Sequence, residues 1–315
     1  MSEVRFDGQV AVVTGAGGGL GREHAHLLAA RGARVLVNDT GGHPDGSGKG
    51  SSKRAEAVVA EIEADGGVAA ANAESVATPE GGRAIVEQAL DLWGRVDVLV
   101  NNAGIAGGGP FHEIPPEEVE AMLRVHVLGA YNVGAAAWAA MLEQGYGRVV
   151  NTSSNSVFGM PGTSHYITAK AAIIGLTRAL SMERAGHDLK VNAVMPMAYT
   201  RLTAQLPSKR FKGWLQDHYG PERVSPFVAF LASKQAPCSG ELFTVGGGRV
   251  ARVFLGVAPG YTAADPSPEV YRDHWEEIMS PSGYAIPADS EEEIALYSGE
   301  IRWRGGDSPD PSREH

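Results

Sequence analysis

The first 250 residues alternate between short apolar runs rich in β-branched side chains and longer segments with helical periodicity. The apolar runs predict strands at residues 9–14, 34–38, 68–71, 96–101, 148–152, 190–195 and 241–245. The periodic segments predict helices that end near residue 31 and that cover residues 52–64, 80–93, 116 to about 143, and 166 to about 184. Strands that are apolar on both faces and are joined by helices form parallel sheets. The sequence therefore predicts an α/β fold: a single doubly wound parallel sheet of about seven strands with helices on both faces.

One domain accounts for most of the chain. Gly246, Gly247 and Gly248 follow the last predicted strand, and no shift in composition marks a second core before that point. We therefore predict that residues 1–250 form the domain and that residues 251–315 form a C-terminal extension packed on it. The extension contains polar, Pro-containing segments and one amphipathic stretch at residues 268–278, and its end after Arg304 is expected to be frayed.

The composition narrows the function classes. The 315 residues include 27 Lys and Arg against 37 Asp and Glu, and the net charge of −10 argues against a broad nucleic-acid surface. The longest apolar run, residues 134–142, is far shorter than the roughly 20 residues of a membrane span. The single cysteine, Cys238, excludes an intrachain disulfide, and the histidines show no spacing for a metal site. The ends carry no secretory pattern and no peroxisomal address, so we expect a cytoplasmic protein without nucleic-acid or membrane partners.

A glycine-rich turn follows the first predicted strand and opens the first predicted helix. Its residues are Gly15, Gly17, Gly19, Leu20 and Gly21, in the spacing Thr-Gly-x-x-x-Gly-x-Gly. At such a turn the backbone N–H groups and the helix dipole favour an anion, and a Cβ would block the approach of phosphates. Its place between a strand and a helix predicts the pyrophosphate site of a dinucleotide in a Rossmann-type sheet.

The end of the second strand predicts which dinucleotide binds. Asp39 stands there, where a carboxylate accepts hydrogen bonds from the adenosine ribose hydroxyls and repels a 2′-phosphate. Gly18 and Thr40, where a basic residue could receive that phosphate, are neutral, and Arg22 is the nearest cation. We therefore predict NAD as the cofactor.

A tyrosine and a lysine are spaced for proton transfer. Tyr166 and Lys170 lie four residues apart at the start of a predicted helix, so their side chains share one face. A lysine ammonium one turn away is expected to stabilise the phenolate and to lower the tyrosine pKa from about 10. Ser153 and Ser154 end a predicted strand, where a hydroxyl can hold a substrate oxygen as charge develops on it. In combination with the glycine-rich turn, these residues indicate one specific chemistry.

The motifs resemble the short-chain dehydrogenase/reductase family. Residues 14–21 are similar to the family's cofactor loop, residues 101–104 (Asn-Asn-Ala-Gly) to its strand-stabilising motif, and the serine with Tyr-x-x-x-Lys to its catalytic set. The resemblance implies that Tyr166 is the proton donor or acceptor and that a serine orients the substrate oxygen. It also implies that Lys170 holds the nicotinamide ribose and tunes the tyrosine, and that hydride is transferred without a metal.

Two catalytic positions stay open under this resemblance. Counting along the strand gives Ser154 the catalytic place, whereas counting back the usual separation from Tyr166 gives Ser153. Strand register favours Ser154, because a slip of one residue turns a side chain to the other face. His126 stands where the family usually has a catalytic asparagine. It is interpreted either as a variant that still supports a proton relay or as a packed helix histidine.

The family pattern implies further contacts to the cofactor. Glu74 and Ser75 take the place near the adenine, and Pro196 begins the loop that covers the nicotinamide. The full implied set is Gly15, Gly17, Gly19, Leu20, Gly21, Asp39, Glu74, Ser75, Asn102, Ala103, Gly104, Val125, Tyr166, Lys170 and Pro196. In this family the helix at residues 117–143 and the helix after Tyr166 build the dimer interface, so a homodimer or homotetramer is expected.

A closer resemblance indicates a substrate. Residues 37–42, 46–51, 124–127 and 267–278 are similar to the (3R)-hydroxyacyl-CoA dehydrogenase domains of peroxisomal multifunctional enzymes type 2 and their bacterial stand-alone relatives. The likeness covers nearly the whole chain and implies that NAD oxidises the 3-hydroxyl of an acyl-CoA in β-oxidation. The alternatives are a dehydrogenase of a steroid, a sterol side chain or another bulky secondary alcohol, a reductase of acyl-carrier-protein thioesters, and a non-catalytic nucleotide-binding scaffold.

The segment that would decide among these substrates is residues 202–214. It is mixed apolar and basic and is expected to be an irregular substrate lid. Its cations, with the residue before it, are Arg201, Lys209, Arg210 and Lys212. They are interpreted either as contacts for coenzyme A phosphates or as a solvated helix face.

Overall fold

The computed structural model describes residues 3–43, 45, 50–184, 186–200, 203–205 and 208–298. Its strands are β1 (Val10–Thr14), β2 (Arg34–Asn38), β3 (Val68–Asn72), β4 (Val98–Asn101), β5 (Tyr146–Thr152), β6 (Asp188–Pro196), β7 (Leu242–Gly246) and β8 (Arg249–Val253). Its α-helices are α1 (Gly19–Ala30), α2 (Lys53–Ala64), α3 (Pro79–Trp93), α4 (Pro116–Leu123), α5 (Gly129–Gln144), α6 (Ser164–Met182), α7 (Lys209–His218), α8 (Ser225–Ala232), α9 (Pro268–Asp273), α10 (Trp275–Ile278) and α11 (Ser290–Ser298).

These strands form one sheet, which confirms the predicted α/β fold. The strand order is β3-β2-β1-β4-β5-β6-β7-β8, and β1 to β7 pair in parallel. Strand β1 lies between β2 and β4, so the winding direction reverses there. In doubly wound sheets ligands bind at the carboxyl ends of the strands beside such a reversal. The sheet therefore places the candidate site beyond the ends of β1, β4 and β5.

The sheet is buried on both faces, as its apolar strands predict. Along β1, Ala11 and Val13 belong to the core on one face, whereas Val10 and Val12 belong to the core on the other. Residues of α1, α2 and α8 complete the first core, and residues of α3 and α5 complete the second. Alternate side chains of a strand point to opposite faces, so a strand between two helix layers needs apolar residues at every position.

Several elements differ from the sequence-based expectations. Strand β8 continues the sheet past the predicted end, because Gly247 and Gly248 adopt φ of 59° and 87° and turn the chain into an antiparallel hairpin. Residues 209–214 were expected to be irregular, and this is wrong because they begin α7. Helix α8 was not predicted. Residues 46–49, 201, 202, 206 and 207, as well as the end after Arg304, lie outside the described residues.

The long helix predicted from residue 116 is interrupted. A π-helical segment, Arg124–Leu128, separates α4 from α5. By length and composition the stretch Pro116–Gln144 is apolar enough to cross a membrane, which the shorter apolar run in the sequence did not indicate. Its residues Val133, Ala137 and Met141 are fully buried against the sheet. This part of the stretch therefore belongs to the protein core.

The chain divides into two compact units, Met1–Val253 and Phe254–His315. The first contains the whole sheet. In the second, Val257 pairs with Ala285, and the Phe254 and Tyr284 rings stack with centroids 5.7 Å apart. The packing of the extension on the domain stays a prediction.

Candidate active site

The glycine-rich turn links β1 to α1 at the carboxyl edge of the sheet. Gly15 has a φ of 65°, and a Cβ there would lie 2.7 Å from the Ala103 Cα. The Asn102 side chain holds the turn against the end of β4. Its Nδ2 donates to the Thr14 carbonyl at 2.9 Å and to the Gly15 carbonyl at 3.1 Å. The Thr14 Oγ1 accepts from the backbone N–H of Asn102 at 3.0 Å. The two strand ends thus hold the turn in one conformation.

The carboxylate of Asp39 is held at the end of β2 by backbone donors. Its Oδ2 accepts from the Gly17 N–H at 2.9 Å, and its Oδ1 accepts from the Gly41 N–H at 2.7 Å. A Cβ at Gly17 would lie 2.7 Å from the Asp39 Cγ. Gly17 therefore positions the carboxylate, a role that the sequence pattern alone did not separate from phosphate binding.

A cleft of about 810 Å³ runs from this turn along the switch point. Its lining includes most of the predicted cofactor set: Gly15, Gly19, Leu20, Asp39, Glu74, Ser75, Asn102, Ala103, Gly104 and Val125. Gly21 is buried instead against the Gly15 carbonyl and the Asn102 amide, and Pro196 pairs with Val245 at the end of β6. The glycines leave the turn without side chains where it borders the cleft, so a pyrophosphate could approach the backbone N–H groups there. The described residues therefore fit a dinucleotide.

Two arginines lie near the glycine-rich turn, Arg22 in the first turn of α1 and Arg54 beside Gly17. Arg22 binds the carboxylates of Glu61 at 2.8 Å and Glu23 at 2.5 Å, so its charge is already paired. Arg54 was missed by the sequence analysis. Its Cβ lies 2.8 Å from the point where a Gly17 Cβ would stand, and its Nη1 donates to the Gly42 carbonyl at 3.2 Å.

The structure separates the two candidate serines. Ser153 is buried, and its hydroxyl donates to the Lys170 carbonyl at 2.8 Å. The Ser154 side chain lies close enough to Tyr166 to lower its pKa, and its Oγ accepts from the Ser156 hydroxyl at 2.9 Å. Ser154 and Tyr166 are therefore brought together, whereas Ser153 ties the strand to α6.

The protein's own groups do not lower the pKa of Tyr166, contrary to the expectation from its spacing to Lys170. Burial raises this pKa above its usual value, and the Ser154 side chain only opposes that effect. The Lys170 Nζ lies 5.7 Å from the centre of the tyrosine ring and donates to the Thr152 carbonyl at 2.7 Å. Burial lowers the pKa of Lys170 to about 7. A lysine that is half neutral near pH 7 stabilises a phenolate less than a full charge would.

His126 lies in the π-helical segment beside Tyr166. The two rings meet edge to face, with centroids 5.4 Å apart. The His126 Nε2 faces the Ile105 carbonyl at 2.8 Å, and burial holds the imidazole pKa well below its usual value. Its buried Nδ1 has no hydrogen-bond partner among the described residues. With Lys170 and Thr152 it lines a cavity of about 10 Å³, roughly the space of one water.

A second buried histidine was not found from the sequence. His165 precedes Tyr166, and its Nε2 pairs with the Glu118 carboxylate on α4 at 3.1 Å. A Cβ at Gly107 would collide with the Glu118 Oε1. The run of glycines at residues 107–109 could have indicated this buried pair from the sequence. A loop that passes this close to the pair has no room for side chains.

Comparisons with known proteins agree with this geometry. The family model of the short chain dehydrogenase matches residues 9–210. A short-chain type dehydrogenase/reductase of Mycobacterium tuberculosis is 44% identical over 281 residues, which are 88% of this chain and 96% of the relative. Peroxisomal multifunctional enzyme type 2 of Mus musculus is 42% identical over 92% of this chain, which spans 39% of that enzyme's length. The crystal structure of a short chain dehydrogenase from Mycobacterium avium superposes with a TM-score of 0.74 at 36% identity, covering 88% of this chain and 98% of that one.

Proposed function

The chain belongs to the short-chain dehydrogenase family, and from that premise we propose that it is an NAD-dependent (3R)-3-hydroxyacyl-CoA dehydrogenase. Family membership makes it an oxidoreductase that acts on CH–OH groups with a nicotinamide cofactor. The choice of NAD is supported by one observation, the Asp39 carboxylate held at the end of β2. The substrate is supported by similarity to peroxisomal multifunctional enzymes over nine-tenths of the chain.

The described residues suit the removal of a proton from a secondary alcohol. The Ser154 hydroxyl holds the substrate oxygen beside Tyr166, and the tyrosine oxygen takes the hydroxyl proton. Held in the cleft lined by Gly15, Gly19 and Asp39, NAD would supply the hydride acceptor for the carbon that bears the hydroxyl, and its cationic ring would favour the Tyr166 phenolate that burial disfavours. Lys170 and His126 line one small cavity, and of the two only Lys170, whose pKa burial lowers to about 7, holds or releases a proton near neutral pH. The relay role of His126 stays a prediction.

The test is NADH formation at neutral pH with purified protein and (3R)- or (3S)-3-hydroxyacyl-CoA thioesters. We expect turnover of the (3R) thioester with NAD, and rates lower by at least about tenfold with the (3S) thioester or with NADP. The (3S) hydroxyl would leave polar groups of the site unpaired, and the 2′-phosphate of NADP would be repelled by the Asp39 carboxylate. Turnover of steroids or other secondary alcohols, with every thioester inactive, would move the proposal to those substrates.

The charge of Asp39 is expected to select the cofactor. Asp39→Asn keeps an acceptor oxygen for one of the two backbone N–H groups and removes the charge, so the preference for NAD over NADP in kcat/KM is expected to fall by about tenfold. The gain in kcat/KM with NADP is expected to stay small, because Arg22 is already paired with Glu61 and the Arg54 Nη1 already donates to the Gly42 carbonyl. The control is Asp65→Asn, which removes an exposed carboxylate at the far end of α2. An unchanged preference in Asp39→Asn would show that another group selects the cofactor.

A further inference from the structure

Helix α7 has a surface that the fold does not require. Of its residues only Leu215 is buried, whereas Phe211 and Trp214 are each 41% exposed. The Phe211 and Trp214 rings stack with centroids 5.8 Å apart, and the Trp214 and Tyr219 centroids lie 4.7 Å apart. Exposed, ordered aromatic faces are a common platform for stacking a nucleic-acid base.

Cations cluster at the beginning of the same helix. Lys209, Arg210 and Lys212 occupy three of its first four positions, and none forms an ion pair with a carboxylate of the described residues. Neighbouring like charges repel, and the positive end of the helix dipole disfavours cations. The cluster therefore destabilises the isolated helix, and in a chain of net charge −10 it makes a local site for an anion.

Helix α7 is tied to the edge of the cofactor cleft. The Tyr199 N–H, just beyond β6, donates to the Tyr219 carbonyl at 2.7 Å, and the Lys212 Nζ donates to the Ala204 carbonyl at 3.2 Å. Thr200 lines the cleft, and its methyl carbon lies 3.6 Å from the position of a Gly19 Cβ. Helix α7 therefore lies beside the segment that borders the cleft at Thr200.

We propose that α7 binds the phosphorylated adenosine end of the acyl-CoA thioester, an inference that rests on the proposed function. Trp214 stacks on the adenine, and Lys209 and Arg210 pair with the phosphates. The acyl-pantetheine arm then extends from α7 towards Tyr166. Coenzyme A combines a flat base with several phosphates, which matches the aromatic and cationic groups that α7 presents together.

The experiment compares two thioesters with the same acyl group: (3R)-3-hydroxybutyryl-CoA and its N-acetylcysteamine analogue, which lacks the nucleotide. In the double variant Lys209→Gln/Arg210→Gln, the KM for the CoA thioester is expected to rise about tenfold at unchanged kcat, whereas the KM for the analogue changes less than about twofold. The wild-type KM for the CoA thioester alone is expected to rise with salt. In Trp214→Leu the KM for the CoA thioester also rises.

The matched control is Lys234→Gln. Lys234 is exposed and follows Ser233, whose carbonyl accepts from Arg148 near the start of β5, at the edge of the sheet opposite to the site. Its substitution removes a surface cation without touching α7. We expect wild-type KM values for both thioesters in this variant.

The outcomes separate the inference from the proposed function. If the double variant keeps the wild-type KM for the CoA thioester, the inference is overturned and the proposed function stands. If its KM rises for an acyl-carrier-protein thioester and not for the CoA thioester, α7 is a carrier-protein surface and the inference is also overturned. If the wild type oxidises neither thioester, the proposed function fails and the inference fails with it.

Discussion

Replacing Tyr166 by phenylalanine is expected to lower kcat by about 10³-fold while NAD affinity changes by less than about threefold. In the proposed mechanism the tyrosine oxygen takes the alcohol proton. Its neighbours are poor substitutes: the Lys170 amine donates to the Thr152 carbonyl, and the His126 Nε2 faces the Ile105 carbonyl. A positioned acid or base contributes about 10²–10⁴ to the rate of such a step, and the variant forfeits that contribution.

The fold is expected to tolerate this change. Phenylalanine keeps the ring that meets His126 edge to face and that packs against Ile105, Met122 and Ala169. Removing a hydroxyl whose pKa is raised by burial leaves no unpaired charge. The measurements are steady-state NADH formation, NAD binding by calorimetry, and the Tm of both proteins.

Tyr146→Phe is the control for this variant. Burial raises the pKa of Tyr146 as it does that of Tyr166, but Tyr146 begins β5, at the opposite edge of the sheet from the site. We expect its kcat to match the wild type. If Tyr166→Phe keeps kcat within about tenfold, another group carries the proton and the mechanism is wrong.

The cradle of the site could be predicted from sequence because it is built from one local unit. Strand β1, the glycine-rich turn and α1 follow one another along the chain. The hydrophobic pattern of the strand, the spacing of the glycines and the start of the helix can therefore be read from one short stretch of sequence. Asp39 was predictable for the same reason, since a strand end fixes where the next side chain stands. The backbone donors of Gly17 and Gly41 were not, because a hydrogen bond across the turn has no signature in the order of residues.

The choice between the serines depends on strand register, and Ser154 as the catalytic serine stays a prediction. Thr152 is the last residue of β5 and pairs with Val194, and the next N–H, that of Ser153, donates to the Val194 carbonyl at 2.8 Å. Adjacent side chains then point to opposite faces, so Ser154 turns towards Tyr166. Counting back from Tyr166 could not decide this, because a separation along the sequence does not fix the face to which a side chain turns.

The tyrosine pKa shows where sequence reasoning stops. Residues four apart on a helix share a face, but their spacing does not give the depth of burial or the distance between charges. The tyrosine pKa was expected to fall, but burial raises it. Burial also lowers the pKa of Lys170 to about 7, which weakens the charge that was expected to stabilise the phenolate. The π-helical segment that brings His126 to the tyrosine was equally out of reach, because its residues have ordinary helical character.

Lys170→Met is expected to abolish turnover and yet to stabilise the fold by roughly 2 kcal/mol at pH 7. Lys170 is buried, and its ammonium has no carboxylate partner in the part of the chain that the structure describes, so burial lowers its pKa from 10.5 to about 7. Folding at neutral pH therefore carries the free-energy cost of burying the Lys170 ammonium or of removing its proton. Methionine fills a similar volume without a charge, and the hydrogen bond it loses to the Thr152 carbonyl offsets only part of the gain.

The pH dependence of this gain has a definite sign. Between pH 7 and 10.5 the unfolded lysine holds a proton that the folded lysine has lost, so wild-type stability rises with pH across that window. Below pH 7 both states are protonated and the destabilisation is complete. The excess Tm of Lys170→Met over the wild type is therefore expected to be largest below pH 7 and to shrink towards pH 10.

Lys190→Met separates burial of a charge from loss of a lysine. Lys190 lies on β6, is only partly buried, and its Nζ also donates to a backbone carbonyl, that of Ala236. Methionine there removes the same hydrogen bond without relieving a fully buried ammonium, so no gain in Tm is expected. A destabilised Lys170→Met, or an equal gain in Lys190→Met, would contradict the argument. These two results together would show that Lys170 destabilises the fold. We expect it to be kept because methionine can neither hold the nicotinamide ribose nor tune the tyrosine.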